Sequence, residues 1–178
     1  NTYIGVFIIM FGVISSGMVA VMSQNIGAGR PGIAYQARQL GLLFNASTGI
    51  LMSVILAVFS GRILKIVSIA PALLEPAETY LKIVGGACFL NALIPIFSSY
   101  LRVFGYTKHS LIGTIVGNAV NIIFNSVFLF VFKWGVMGVA VATVISKVVN
   151  LIIVAAMGAV LIKAKQSPER IQPRKILA

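Results

Sequence analysis

One apolar segment carries polar side chains whose chemistry suits binding and not catalysis. The four residues, called here the amide stripe, are Thr114, Asn118, Asn121 and Asn125. Their spacings of four, three and four residues place them on one side of an α-helix. Amides and hydroxyls need hydrogen-bond partners in hydrocarbon, so the stripe should face other helices or a water-filled cavity and not lipid. The spacing leaves open whether it holds helices together or lines a cavity or ion site.

The next apolar segment adds two candidates. Gly138, Ala142 and Ser146 recur at every fourth residue, a small-residue seam that lets another helix approach closely. Thr143 lies beside this seam, where its hydroxyl either bonds to its own helix or joins the amide stripe. Lys147 is the one charge inside an apolar segment. Since a lysine at mid-depth costs about 2.5–3.5 kcal/mol, we expect either a hydrated cavity beside it or a pairing with a carbonyl or phosphate group.

Carboxylates are missing from all of the apolar segments. Glu75, Glu78 and Glu169 lie between or beyond them. A membrane protein driven by protons or sodium normally keeps an acid at membrane depth, because an ionisable group there is costly and persists only for a purpose. The sequence also pairs no nucleophile with a base, so we expect no enzyme activity, no catalytic residue and no organic cofactor.

Membrane-spanning helices must position these residues. The 178 residues are 59% hydrophobic and 10% charged, with a mean hydropathy of +1.03, whereas soluble domains are roughly 25% charged. A spanning helix needs about 20 apolar residues, and the segments long enough are 2–22, 39–61, 83–101, 110–132 and 134–162. We therefore predict an all-α, polytopic membrane helix bundle, with a transmembrane lobe over residues 1–163 and a cytoplasmic linker over 164–178.

Basic residues predict the orientation of the bundle. With a loop at 23–38 placed in the cytoplasm, nine Lys and Arg residues face that side and four face the other. Lys and Arg accumulate on the cytoplasmic side, so the tail after Ile162 should be cytoplasmic and the protein should lie in the cell inner membrane. The net charge of +11 then reflects contact with the bilayer and not with nucleic acid.

Prolines predict that residues 71–80 form an outer, non-helical loop.

Several motifs resemble those of one transporter family. Residues 23–30, which read Ser-Gln-Asn-Ile-Gly-Ala-Gly-Arg, resemble the signature that ends the second helix of the multidrug and toxic compound extrusion (MATE) transporters. Residues 102–108, 121–125 and 135–143 resemble the family's loop between its fourth and fifth helices, its fifth-helix motif and the opening of its sixth helix. The resemblance covers nearly the whole chain. It implies helices two to six of a six-helix amino-terminal lobe, with the first helix and the second lobe of the same protein outside this chain.

The resemblance also implies a function. MATE transporters are secondary antiporters that export cationic or amphipathic drugs and toxic compounds in exchange for protons or sodium. Their cation site in many prokaryotes combines an acid on the first helix, an asparagine and an aspartate on the fifth, and a threonine on the sixth. By position these are Asn121, Asn125 in place of the aspartate, and Thr143. An amide is neutral and exchanges no proton near neutral pH, so coupling would rest on an acid outside this chain, with sodium a candidate at Asn121 and Thr143.

Two alternatives remain open at this point. A flippase for lipid-linked oligosaccharide or peptidoglycan precursors has the same helical plan, and a cavity lined by several arginines would favour it. A non-transporting membrane scaffold would use the amide stripe only to bind neighbouring helices. For the antiporter, the residues expected to line the cavity or cation site are Asn118, Asn121, Asn125, Thr143 and Lys147.

Overall fold

The computed structural model describes residues 2–66 and 71–166, and within them every regular element is helical. Two π-helical segments, Leu81–Gly85 and Val127–Val131, continue the helices that precede them. The α-helices are α1 (Thr2–Gly27), α2 (Pro31–Val58), α3 (Ser60–Ile66), α4 (Pro71–Tyr80), α5 (Cys88–Val103), α6 (Thr107–Ser126) and α7 (Gly135–Gln166). The predicted linker at 164–178 lies outside the described residues except for 164–166, which extend α7.

Within the residues that the structure describes, five helical segments are long and apolar enough to cross a membrane. They are Ile9–Gly27, Gly32–Val58, Pro71–Val103, Thr107–Val131 and Gly135–Leu161. The predicted all-α membrane bundle of five helices is therefore confirmed. Helices satisfy all of their backbone hydrogen bonds internally, which is what hydrocarbon demands of a spanning segment.

The first predicted loop is much shorter than expected. Helix α1 continues to Gly27 and α2 already begins at Pro31, so residues 28–30 alone connect them. Gly29 adopts a φ of 71°, and the amides of Gly29 and Arg30 donate to the carbonyls of Ile26 and Asn25 at 3.1 and 2.8 Å. This is a Schellman helix end, followed by a proline at the first position of the next helix. The loop predicted at 23–38 was wrong because polar residues at these helix ends remain helical.

The predicted break at residues 71–80 was also wrong, since they form α4. Pro71 is its first residue, where the missing amide hydrogen needs no partner, and Pro76 removes only one bond near the helix start. The segment Pro71–Val103 has 33 residues, or about 50 Å at 1.5 Å per residue, against a hydrocarbon thickness of about 30 Å. Its start, with Glu78 paired to Lys82 at 2.8 Å, therefore extends past the hydrocarbon.

Helix α5 forms the centre of the bundle and packs against α1, α2, α6 and α7. Ile96 and Leu101 belong to one buried apolar cluster, while Cys88 and Ala92 belong to a second cluster along the same helix. Asn45 of α2 is fully buried, and its Nδ2 donates to the Ala92 carbonyl at 3.0 Å. Its Nδ2 also lies 3.4 Å from the Phe11 carbonyl of α1, so one amide joins three helices around the core.

Candidate functional site

Glycines bring α6 and α7 into close contact. A Cβ atom on Gly113 would lie 2.6 Å from Cγ1 of Val154, and one on Gly117 would lie 3.0 Å from Cβ of Asn150. The distance at Gly113 is too short for a side chain and the one at Gly117 is tight, so the backbones approach closely because glycine has no side chain. Ser146 of the predicted seam on α7 is buried against the same surface. This close packing fixes which residues of the two helices face each other.

A polar cavity of about 440 Å³ opens beside this contact, between α5, α6 and α7. Helix α6 contributes Thr114, Asn118 and Asn121. Helix α7 contributes Thr143, Ser146, Lys147 and Asn150. Helix α5 contributes Asn91 and Pro95 together with an apolar wall. Amides, hydroxyls and one ammonium therefore converge on a single space.

Four of the five residues predicted from the sequence line this cavity, namely Asn118, Asn121, Thr143 and Lys147. Asn125 does not, contrary to expectation. It lies one turn further along α6, where its Nδ2 donates to Oδ1 of Asn121 at 2.9 Å. A four-residue step on a helix keeps a residue on the same face but moves it about 6 Å along the axis, which carries Asn125 past the end of the cavity.

The lining residues are connected by hydrogen bonds across the helix contact. Nδ2 of Asn121 donates to Oγ of Ser146 at 3.4 Å, and that hydroxyl donates to the Thr143 carbonyl at 2.8 Å. Thr143 uses its own hydroxyl within α7, donating to the Val139 carbonyl at 2.8 Å. Of the two roles considered for Thr143, the bond to its own helix is the one observed, and the residue also lines the cavity.

Lys147 is half-buried, and its Nζ donates to Oδ1 of Asn91 on α5. The sequence predicted that Lys147 needs water or a partner, and the structure provides both a cavity and an amide carbonyl. Among the described lining residues, Lys147 is the only charged one.

Asn91, Ser146 and Asn150 were not named as site residues from the sequence. Asn91 precedes Pro95 by four residues, so Pro95 leaves the Asn91 backbone carbonyl without its usual helical donor. The spacing between Asn91 and Pro95 is therefore a feature of the sequence that could have indicated polar surroundings at this part of α5. Ser146 and Asn150 lie three and seven residues after Thr143, a spacing that repeats one helical face and could have identified them.

The family model of MatE matches residues 1–127. The uncharacterized transporter YisQ of Bacillus subtilis (strain 168) is 32% identical over 156 residues, which cover 85% of this chain and 34% of that protein. Protein DETOXIFICATION 43 of Arabidopsis thaliana is 32% identical over 112 residues, 61% of this chain and 20% of the plant protein. The chain thus spans about a third or less of these relatives.

Solved structures share the fold. An inward-facing conformation of a multidrug resistance MATE family transporter of the MOP superfamily has a TM-score of 0.80 at 19% identity, covering 86% of this chain and 35% of its own. An outward-facing conformation of a multidrug resistance MATE family transporter has a TM-score of 0.79 at 19% identity, and the match covers 88% of this chain and 34% of that one. The arrangement of these helices is accordingly common to both conformations. With its family model matched over most of its length and its membrane bundle superposed on solved transporters, the chain belongs to the MatE family of membrane transporters.

Proposed function

We propose that the protein containing this chain is a secondary active antiporter of the cell inner membrane that exports cationic or amphipathic drugs and toxic compounds in exchange for protons or sodium. The observation that carries the proposal is the cavity of about 440 Å³ lined by the amide stripe and by α7. The names of the relatives, a transporter and a detoxification protein, agree with it.

The exposure of part of the amide stripe favours a transport passage rather than a scaffold. Thr114 and Asn118 are exposed although both lie in the middle of a spanning helix. Residues that only hold helices together would be buried against a partner helix, because an amide in lipid without a partner is costly. Exposure to a cavity instead provides water or a transported molecule as the partner.

Similar folds in inward- and outward-facing relatives support a rigid-body mechanism. In this mechanism the lobe containing α1 to α7 moves as a unit against the second lobe, and the cavity opens alternately to the two sides. In this proposal the first helix and the second lobe, which this chain does not include, complete the transporter. The side with Arg30 faces the cytoplasm.

The two coupling ions place different demands on the cavity. Oδ1 of Asn121 and Oγ1 of Thr143 are neutral oxygens of the kind that sodium accepts. However, Lys147 follows Thr143 by four residues on the same helical face, and two unit charges about 6 Å apart repel by roughly 3 kcal/mol at an effective dielectric of about 20. Within the proposal the charge of Lys147 therefore favours the proton, carried by an acid elsewhere in the protein.

The flippase alternative would be favoured by a cavity with several arginines. Among the described lining residues there are none, and this favours the antiporter as the proposal. Reconstituted full-length protein distinguishes the two, since a flippase translocates a fluorescent lipid-linked precursor and a drug antiporter does not.

The test of the antiporter replaces Asn121 and Asn125 together by leucine in the full-length protein. Ethidium efflux from proteoliposomes under an imposed proton or sodium gradient is the measurement. We expect efflux to fall by about tenfold or more, because the leucine at position 121 removes polar lining from the cavity and the two leucines together remove the amide pair that links α6 to Ser146 of α7. Ser126→Ala is the matched control, since that hydroxyl is exposed and bonded to the Ile122 carbonyl within α6. Normal efflux in the double variant would show that the two amides only hold helices together, whereas no gradient-driven efflux from the wild-type protein would support the non-transporting scaffold.

A further inference from the structure

We propose that the cavity between α5, α6 and α7 binds the anionic group of a transported amphipathic compound, a carboxylate or a phosphate, with Lys147 as its counterion. The inference rests on the proposed function in one respect, that a transported molecule enters this cavity. It narrows the class of substrate for this lobe to compounds with an acidic or zwitterionic head.

The first argument is the charge of the cavity. Lys147 is the only charged residue of its described lining, and no carboxylate lies among the described residues of α5, α6 or α7. The described carboxylates nearest in sequence to α5 are on α4, where Glu78 already pairs with Lys82 at 2.8 Å. A single ammonium in a low-dielectric wall concentrates a positive potential in the cavity, which attracts anions and repels cations.

The second argument is the unused hydrogen-bonding capacity of the ammonium. It has three N–H donors, and one donates to Oδ1 of Asn91. Asn91 is an amide and therefore leaves the charge of Lys147 uncompensated. Phosphate and carboxylate groups accept hydrogen bonds from ammonium groups that are roughly twice as strong as neutral ones, so the remaining two donors suit such a ligand.

The third argument is the placement of neutral donors around Lys147. Asn118 extends into the cavity from α6, and Asn150 lies one turn from Lys147 on the same face of α7. Their amide groups can each donate to a second or third oxygen of the same anionic group. A bound group of this kind would contact both helices at the point where α6 and α7 meet.

The apolar part of the cavity explains why the ligand is amphipathic. Ile94 and Pro95 of α5 form an apolar part of the lining. A small inorganic anion would leave this wall in contact with water, whereas an alkyl or aromatic group attached to the anion would cover it. The two surfaces together therefore fit a compound with one acidic end and one apolar end.

The decisive experiment uses the full-length protein in nanodiscs and two probes with the same alkyl chain. The probes are decyl phosphate and decyltrimethylammonium, and their dissociation constants are measured by isothermal titration calorimetry. We expect the wild-type protein to bind the phosphate about tenfold or more tightly than the ammonium compound, a difference set by the sign of one charge. Equal binding, or tighter binding of the ammonium compound, overturns the inference.

Three variants assign the preference to Lys147. Lys147→Gln should lose about tenfold in affinity for decyl phosphate, and Lys147→Arg should keep it. Asn91→Asp leaves the lysine in place but gives it a carboxylate partner, so it should also abolish the preference, and it remains informative if Lys147→Gln fails to fold. Lys108→Gln, an exposed residue outside the described cavity lining, is the control and should bind as wild type.

An unchanged phosphate affinity in both Lys147→Gln and Asn91→Asp overturns the assignment, because the anion would then bind elsewhere. If an acid outside this chain already neutralised Lys147, the wild-type protein would bind the two probes equally. That outcome also overturns the inference. Gradient-driven efflux of decyl phosphate is measured separately on the same variants in proteoliposomes. A phosphate preference without gradient-driven efflux leaves this inference standing and refutes the antiporter, whereas gradient-driven efflux without a preference does the reverse.

Discussion

Nδ2 of Asn125 donates to Oδ1 of Asn121 at 2.9 Å, so the outer amide holds the inner one in its orientation. With its oxygen toward Asn125, Asn121 directs its own Nδ2 to Oγ of Ser146 on α7. Oδ1 of Asn125 is buried and has no hydrogen-bond partner among the described residues. The pair therefore links α6 to α7, and Oδ1 of Asn125 is a buried acceptor just outside the described cavity lining.

The first prediction replaces Asn125 by aspartate. A carboxylate adds charge to the buried oxygen position and forces the Asn121 amide to turn its donor toward it, which exposes Oγ of Ser146. We expect sodium to raise the unfolding midpoint of purified full-length Asn125→Asp more than that of the wild type. At a sodium concentration near ten times the dissociation constant, the added free energy of unfolding should be about 1.4 kcal/mol. The midpoint is measured in NaCl and in choline chloride at equal ionic strength.

Asn25→Asp serves as the control for this experiment. Asn25 lies at the end of α1, where its Nδ2 donates to the Val21 carbonyl of the same helix. A carboxylate there should create no sodium-dependent stability. If Asn125→Asp responds to sodium no more than Asn25→Asp, the buried oxygen of Asn125 has no role in cation binding.

The second prediction concerns the closest contact between α6 and α7. Gly113→Ala would place a Cβ 2.6 Å from Cγ1 of Val154 and 2.9 Å from Oδ1 of Asn150. The helices must separate to make room, and we expect a loss of about 1–3 kcal/mol of stability, measured as a lower unfolding midpoint. Gly17→Ala on α1 is the control, because nothing lies within 4 Å of its Cβ position. Equal midpoints for the two variants would mean that α6 and α7 are not packed as described.

The third prediction tests the amide at the centre of the bundle. Asn45→Ala removes the hydrogen bonds that join α2 to the Ala92 and Phe11 carbonyls, and it leaves a cavity in a fully buried position. We expect stability to fall by about 2 kcal/mol, because buried hydrogen bonds and packing are lost together. Asn25→Ala loses only a bond within α1 and should change stability by less than about 0.5 kcal/mol. Thermal unfolding of both purified variants gives the comparison.

The fold could be predicted well from the sequence because its dominant requirement is local. Each spanning helix must be apolar over its own length, and hydropathy measures that directly. The same measure failed at residues 23–38, since hydropathy marks where the lipid ends and not where the helix ends. The prediction at residues 71–80 failed because its prolines lie near the start of a helix, where they do not break it. Gln24 and Asn25 at one boundary, and Glu75 and Glu78 at the other, are polar residues on helices that extend past the hydrocarbon.

The site could be predicted only in part, because periodicity identifies the face of one helix and not its partners. The amide stripe placed Asn118 and Asn121 on a common face, and both line the cavity. The contact between Lys147 and Asn91 joins residues 56 positions apart, and nothing in the local pattern of either helix specifies it. Periodicity also does not give the position of the cavity along the helix axis. Asn125 therefore lies on the same face of α6 as Asn118 and Asn121 but does not line the cavity.

The last prediction concerns the orientation that the basic residues indicate. Arg30 lies between the first and second spans and Lys133 between the fourth and fifth. Three spans separate the two positions, so they must lie on opposite sides of the membrane. In a Cys88→Ala background we expect a membrane-impermeant maleimide to label Lys133→Cys on intact cells, and to label Arg30→Cys only after the cells are permeabilised.

The native Cys88 supplies the internal control for this labelling, because its side chain is fully buried. The protein with Cys88 and no added cysteine should stay unlabelled in both conditions and react only after denaturation in detergent. Labelling of Arg30→Cys on intact cells, with Lys133→Cys protected, would reverse the orientation of the lobe. The conformation that opens the cavity to the cytoplasm would then be the opposite one, while the direction of exchange would remain export, because the ion gradient that drives it keeps its own direction across the membrane.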